Sequence, residues 1–166
     1  MKKLTGLFTA LMIATSLMAF STPIETKIYK SIVSNYDLSF SKIVVEDGID
    51  LVVYENATSN MQFDGKKEDI AKVDWKIKNG VLYLKSKRGS LKNKVLVTLD
   101  VTGLQSISIN GSSMVRSIGI LSAPHLDVYM KGDCFVAIRN LGDINLINTD
   151  DAEIDIRESS GNLSIR

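Results

Sequence analysis

Ile107-Ser108-Ile109-Asn110-Gly111-Ser112-Ser113-Met114-Val115 is followed by Leu126-Asp127-Val128-Tyr129-Met130-Lys131-Gly132-Asp133-Cys134-Phe135-Val136, and then by Ile144-Asn145-Leu146-Ile147-Asn148-Thr149-Asp150-Asp151-Ala152-Glu153-Ile154. Each segment alternates apolar with polar residues, the period-two signature of a strand with one buried face. Each breaks at a residue tolerant of positive φ and then alternates again. Superposition puts Gly111, Gly132 and Asp150 in one register, at spacings of 21 and 18 residues. A repeat near this length, with strand, corner and second strand in each unit, is the pattern of a solenoid: no unit buries its own apolar face, and stacking supplies the core. Leu163-Ser164-Ile165 begins one more coil. The expected fold is all-β, a solenoid of stacked strand-corner-strand units with hairpins in the N-terminal half.

The hairpins are read from two dipeptides. Asp47-Gly48 separates Ile43-Val44-Val45 from Ile49-Asp50-Leu51-Val52-Val53-Tyr54, and Asn79-Gly80 separates Val73-Asp74-Trp75-Lys76-Ile77 from Val81-Leu82-Tyr83-Leu84. Both pairs favour the tight turns that join antiparallel strands. Between them, Lys66 to Ala71 is the only stretch with helical character, enough for one or two turns. Lys85 to Lys94 reads as a solvated basic turn, and residues 22–38 carry no pattern and read as a flexible lead-in to a domain spanning 39–166.

Residues 1–21 have the layout of a secretory signal peptide: Lys2 and Lys3, an uncharged run from Leu7 to Phe20, and small residues before the expected cleavage between Ser21 and Thr22. The uncharged run is shorter than a membrane span requires and is interrupted by Thr9, Thr15 and Ser16. The expected mature protein is therefore exported, to the periplasm, the outer-membrane surface or the medium, with no transmembrane span.

Composition narrows the chemistry. The chain has 166 residues, 20 basic and 19 acidic side chains, one Cys and one His. That balance lacks the concentrated positive charge on which nucleic-acid binding depends. One Cys excludes an internal disulfide framework, and one His removes most His-based metal sites and triads. These absences point to a non-enzymatic protein, and no catalytic, cofactor or metal residue is assigned.

The pattern Phe40-x-x-Ile43-x-Val45-x-x-Gly48-Ile49-x-Leu51-x-Val53 resembles the opening of the bacterial "putative auto-transporter adhesin, head GIN domain" family. Asn79-Gly80-x-Leu82-x-Leu84 and the corners at Gly111-Ser112-Ser113 and Gly132-Asp133 extend the resemblance over about residues 40 to 166. It implies a right-handed parallel β-helix-like solenoid of secreted or envelope proteins with no established catalytic activity. Asp150-Asp151 replaces the usual small corner residues at the third repeat.

Asp150, Asp151, Glu153, Asp155 and Glu158 form the densest acidic cluster, and oxygen-rich sites suit calcium. Alternate residues of one strand lie about 7 Å apart, so the simpler reading is a charged outer face. The same carboxylates could serve a polysaccharide-active enzyme, a reading weakened by the scarcity of basic partners. His125 reads as an exposed turn residue and Cys134 as a buried one. Tyr129 and Phe135, in turn, alternate with Val128, Met130, Cys134 and Val136, so both point outward and are the candidate surface-binding residues. The expected partner is an envelope polymer, a glycan or a protein. The alternative is a homo-oligomer formed through an open C-terminal coil near Leu163 to Arg166.

Overall fold

A computed structural model describes residues 29–33, 39–46, 48–56, 60–87, 91–148, 153–155 and 161–166. The expected signal peptide and its Ser21/Thr22 cleavage point lie outside the described residues. The elements in chain order are β1 (Tyr29–Val33), β2 (Lys42–Val45), β3 (Ile49–Tyr54), β4 (Met61–Gly65), α1 (Lys67–Ile70), β5 (Val73–Lys78), β6 (Val81–Ser86) and β7 (Val95–Asp100). They continue with β8 (Ser106–Asn110), β9 (Met114–Ser117), β10 (His125–Lys131), β11 (Phe135–Ala137), β12 (Asp143–Asn148), β13 (Glu153–Ile154) and β14 (Leu163–Ile165).

The fold is all-β, with two mixed seven-stranded sheets and no closed barrel. Sheet A runs β1-β4-β7-β3-β9-β11-β13, and sheet B runs β14-β12-β10-β8-β2-β6-β5. From β6 to β14 each successive strand falls in the other sheet, and from β8 onward each pairs in parallel with the strand one circuit away. The register reproduces the sequence spacing: Ser106 lies opposite Asp127 and Met114 opposite Phe135, while His125 lies opposite Asp143 and Phe135 opposite Glu153.

Parallel register stacks like on like. In sheet B the column Leu82, Ile43, Ile107, Val128 and Leu146 crosses five strands with every member buried. In sheet A, Val97, Leu51, Val115 and Val136 do the same and end against the partly buried Ile154. Burial of such a side chain stabilises by roughly 1.5–3 kcal/mol relative to exposure. The polar residues between them are turned to the two outer faces.

The corners are stacked as tightly as the strands. The Gly111 N–H donates to the Lys131 carbonyl at 2.8 Å, and the buried Ser113 hydroxyl donates to the Glu46 carbonyl at 3.4 Å. Gly132 has φ 95°, and a Cβ built there would stand 3.0 Å from the Gly111 Cα. Glycine is required at this corner by close backbone approach as well as by φ.

One of the two expected hairpins forms. β5 and β6 pair antiparallel with Lys78 opposite Val81, and Asn79 and Gly80 have φ of 54° and 72°. The Asp47-Gly48 hairpin is overturned, because β2 lies in sheet B and β3 in sheet A. A hairpin would give each strand one partner from this pair, whereas the corner gives β2 both β6 and β8, and gives β3 both β7 and β9. Residues 22–38, read as lacking pattern, contain β1, which pairs antiparallel with β4.

The short helix falls where the sequence placed it, and its Asp69 is fully buried. Asp69 accepts from the Asn93 side-chain amide at 2.8 Å and from the Lys92 N–H at 3.1 Å, and the Lys72 ammonium lies 3.5 Å away. The basic stretch read as a solvated turn is thus strapped to the domain by one carboxylate. The Asn93 bond holds the Asp69 carboxyl below its ordinary range, opposed by burial and aided by Lys92 and Lys72. A depressed carboxyl contributes stability above its unfolded pKa of about 4 and loses it as pH falls through the lower folded value. Asp69→Asn is expected to lower stability at pH 7 by about 1–3 kcal/mol. In urea melts the gap between variant and wild type should shrink below about pH 4; an equal gap at pH 7 and pH 3 contradicts this role.

Candidate functional site

Parallel stacking orders the outer faces as strictly as the core. On sheet B one outward row runs Lys76, Tyr83, Val44, Ser108, Tyr129 and Ile147 across β5, β6, β2, β8, β10 and β12. A second runs Lys42, Ser106, Asp127, Asn145 and Ser164. The first is largely apolar and the second polar, so the face is amphipathic across its width.

Ser108 is the smallest member of its row. Between Val44 and Tyr129 it leaves a depression of about 420 Å³, walled by those two residues and Ile147, with Asn110 and Lys131 at the rim. Tyr129 is 41% exposed, a large aromatic surface for a residue in mid-strand. At the other end of the row the Lys76 ammonium lies 5.5 Å from the centre of the Tyr83 ring, a cation–π contact. In the polar row Asp127 Oδ1 accepts from Asn145 Nδ2 at 3.0 Å and lies 3.2 Å from His125 Nε2. These contacts hold the polar side chains in register beside the groove.

Tyr129 and Phe135 both point outward, as their alternation predicts, but the structure does not bring them together. Tyr129 is on sheet B and the half-buried Phe135 on sheet A, so they occupy opposite outer faces. Cys134 is buried. His125 is exposed and opens β10, where the sequence reading placed a turn. Of the acidic cluster, Asp150, Asp151 and Glu158 lie outside the described residues, while Asp155 is half-buried beside β13. Among the described residues no three His, Cys, Asp or Glu side chains form a metal-holding group. Also among the described residues, no helix is long and apolar enough to cross a membrane. Sequence reasoning missed the Ser108 groove: Tyr129 follows one circuit later, but the other wall, Val44, comes from a strand that the repeat does not set beside β8.

Residues 39–166 match the family described as "Putative auto-transporter adhesin, head GIN domain". The chain belongs to this family. Several solved structures resemble this head GIN domain, two of them as follows. A putative adhesin from Parabacteroides merdae aligns over 86% of this chain and 97% of its own, with a TM-score of 0.53 and 10% identity. A putative lipid binding protein from Parabacteroides distasonis aligns over 84% of this chain and 63% of its own, with a TM-score of 0.62 and 11% identity. At such identities the likeness is one of fold. No match was found among curated proteins.

Proposed function

We propose that this head GIN domain is an exported, non-enzymatic adhesion module of the cell envelope, built as a right-handed β-helix-like solenoid, that engages an envelope polymer, glycan or protein through the outer face of sheet B. The observation that carries the reading is the exposed Tyr129 ring beside the Ser108 groove, in a row that also sets Tyr83, Val44 and Ile147 on the outer face. The strand-by-strand alternation between sheets and the parallel registers support the solenoid. Export is supported by the leader pattern of residues 1–21 and by the family description.

The test is retention of the exported protein on envelope fractions from the cell that makes it. Wild type is expected to bind without releasing product, and Tyr129→Ala to weaken binding about tenfold, as loss of a central aromatic contact does. Equal retention of wild type and variant contradicts the assignment of this face.

A second reading has its own observation. Leu163 and Ile165 lie opposite Ile144 and Leu146 and so continue buried columns, yet they are 46% and 61% exposed. Among the described residues β14 pairs only with β12, and an open strand edge is a template for another chain. Self-assembly through this edge predicts a solution mass that rises with concentration and stays monomeric in Ile165→Pro. A wild-type mass that is monomeric at every concentration contradicts it.

A further inference from the structure

Sheet A presents a different chemistry from the Tyr129 face. Its outer side carries the row Thr98, Val52, Arg116 and Ala137 across β7, β3, β9 and β11. The Asp155 N–H donates to the Val136 carbonyl at 2.8 Å and sets Asp155 next in the row. Ala137 is the small member here, and above it lies a depression of about 270 Å³ lined by Arg116, Ser117, Ala137, Arg139 and Asp155. Arg116 and Asp155 face each other across two strand spacings, about 10 Å.

The polar groups around this slot differ in what they have left to give. The Ser117 hydroxyl is spent, donating to the Gly119 carbonyl at 3.1 Å and accepting the Arg139 N–H at 2.9 Å. The neighbouring acid, Asp50, is engaged by the Met114 N–H at 2.8 Å and the Lys94 ammonium at 3.2 Å. Arg116 is exposed, and its guanidinium makes no hydrogen bond or ion pair among the described residues. A free guanidinium at the wall of a slot offers a planar fork matched to a carboxylate. The slot is smaller than a typical drug-sized pocket, which suits one ring. Two residues along β11 from Ala137, about 7 Å away, Phe135 faces the same side, with Met114 beside it, 37% exposed.

We infer that the outer face of sheet A holds a subsite for an acidic polysaccharide, with Arg116 clamping the carboxylate of one uronic acid ring over Ala137, and Phe135 with Met114 supporting the next ring. The apolar shelf beside the cation favours a sugar polymer over a bare anion, because it matches the C–H faces of successive rings. This subsite goes beyond the adhesion reading and does not depend on Tyr129, which lies on the opposite face.

The experiment is affinity electrophoresis of the full chain in gels containing polygalacturonate, its carboxyl-reduced counterpart, or dextran sulfate. Polygalacturonate is expected to retard wild type while the carboxyl-reduced polymer does not. Arg116→Gln, an exposed substitution, is expected to weaken retardation about tenfold, the scale of a lost charge-assisted pair. Ala137→Leu, which fills the slot and leaves the charge, should weaken it similarly, and Tyr129→Ala should leave it unchanged. The inference is overturned by an unretarded wild type, by undiminished binding in Arg116→Gln, or by equal retardation on the carboxyl-reduced polymer or on dextran sulfate. Loss of envelope retention in Tyr129→Ala with polygalacturonate binding intact would separate the two faces.

Discussion

No strand pair of this chain can bury its own apolar face, and every other feature depends on that constraint. β8 and β9 turn Ile107, Ile109 and Val115 inward, and the strands on either side, β2 and β10 for β8 and β3 and β11 for β9, supply their neighbours. Parallel pairing answers the constraint by placing each residue opposite its counterpart, so that Ile43, Ile107, Val128 and Leu146 become one continuous column. The corner glycines follow from it. Circuits held one strand spacing apart bring Gly111 and Gly132 backbone to backbone, where a methyl group would collide.

The same ordering builds the outer faces. Residues that do not enter the core are aligned in rows by the ladder that aligns the core, so a single small side chain in a row becomes a groove. Ser108 does this on sheet B and Ala137 on sheet A, with different walls: tyrosine and aliphatic side chains in the first, arginine and aspartate in the second. Four of the strands that carry these faces, β8, β9, β10 and β11, are paired on both sides.

The repeat was legible because its spacing, its alternation and its corner residues all point the same way; Gly111 and Gly132 are found where the spacing puts them. Asn79-Gly80 was legible for a local reason, the positive φ of both turn residues. Asp47-Gly48 carries nearly the same local signal and forms a corner, because the choice between hairpin and corner is made by distant strands β6, β7, β8 and β9. Equally non-local is the placement of β6 and β7 outside β2 and β3 in the stack, against chain order. At the candidate site, alternation showed that Tyr129 and Phe135 face outward, but not that they face opposite ways. That depends on each glycine corner carrying the chain from one sheet to the other. Ser108 and Arg116 have no signal of their own, since their environments are made by residues one circuit away.

The account rests on the inter-circuit register, and methyl–methyl NOE spectroscopy on protein labelled at Ile, Leu and Val tests it most directly. The predicted result is an unbroken chain of contacts from Leu82 through Ile43, Ile107 and Val128 to Leu146. Cross-strand contacts joining residues 42–45 to residues 49–54 as a hairpin, with Ile43 making none to Ile107, would contradict it.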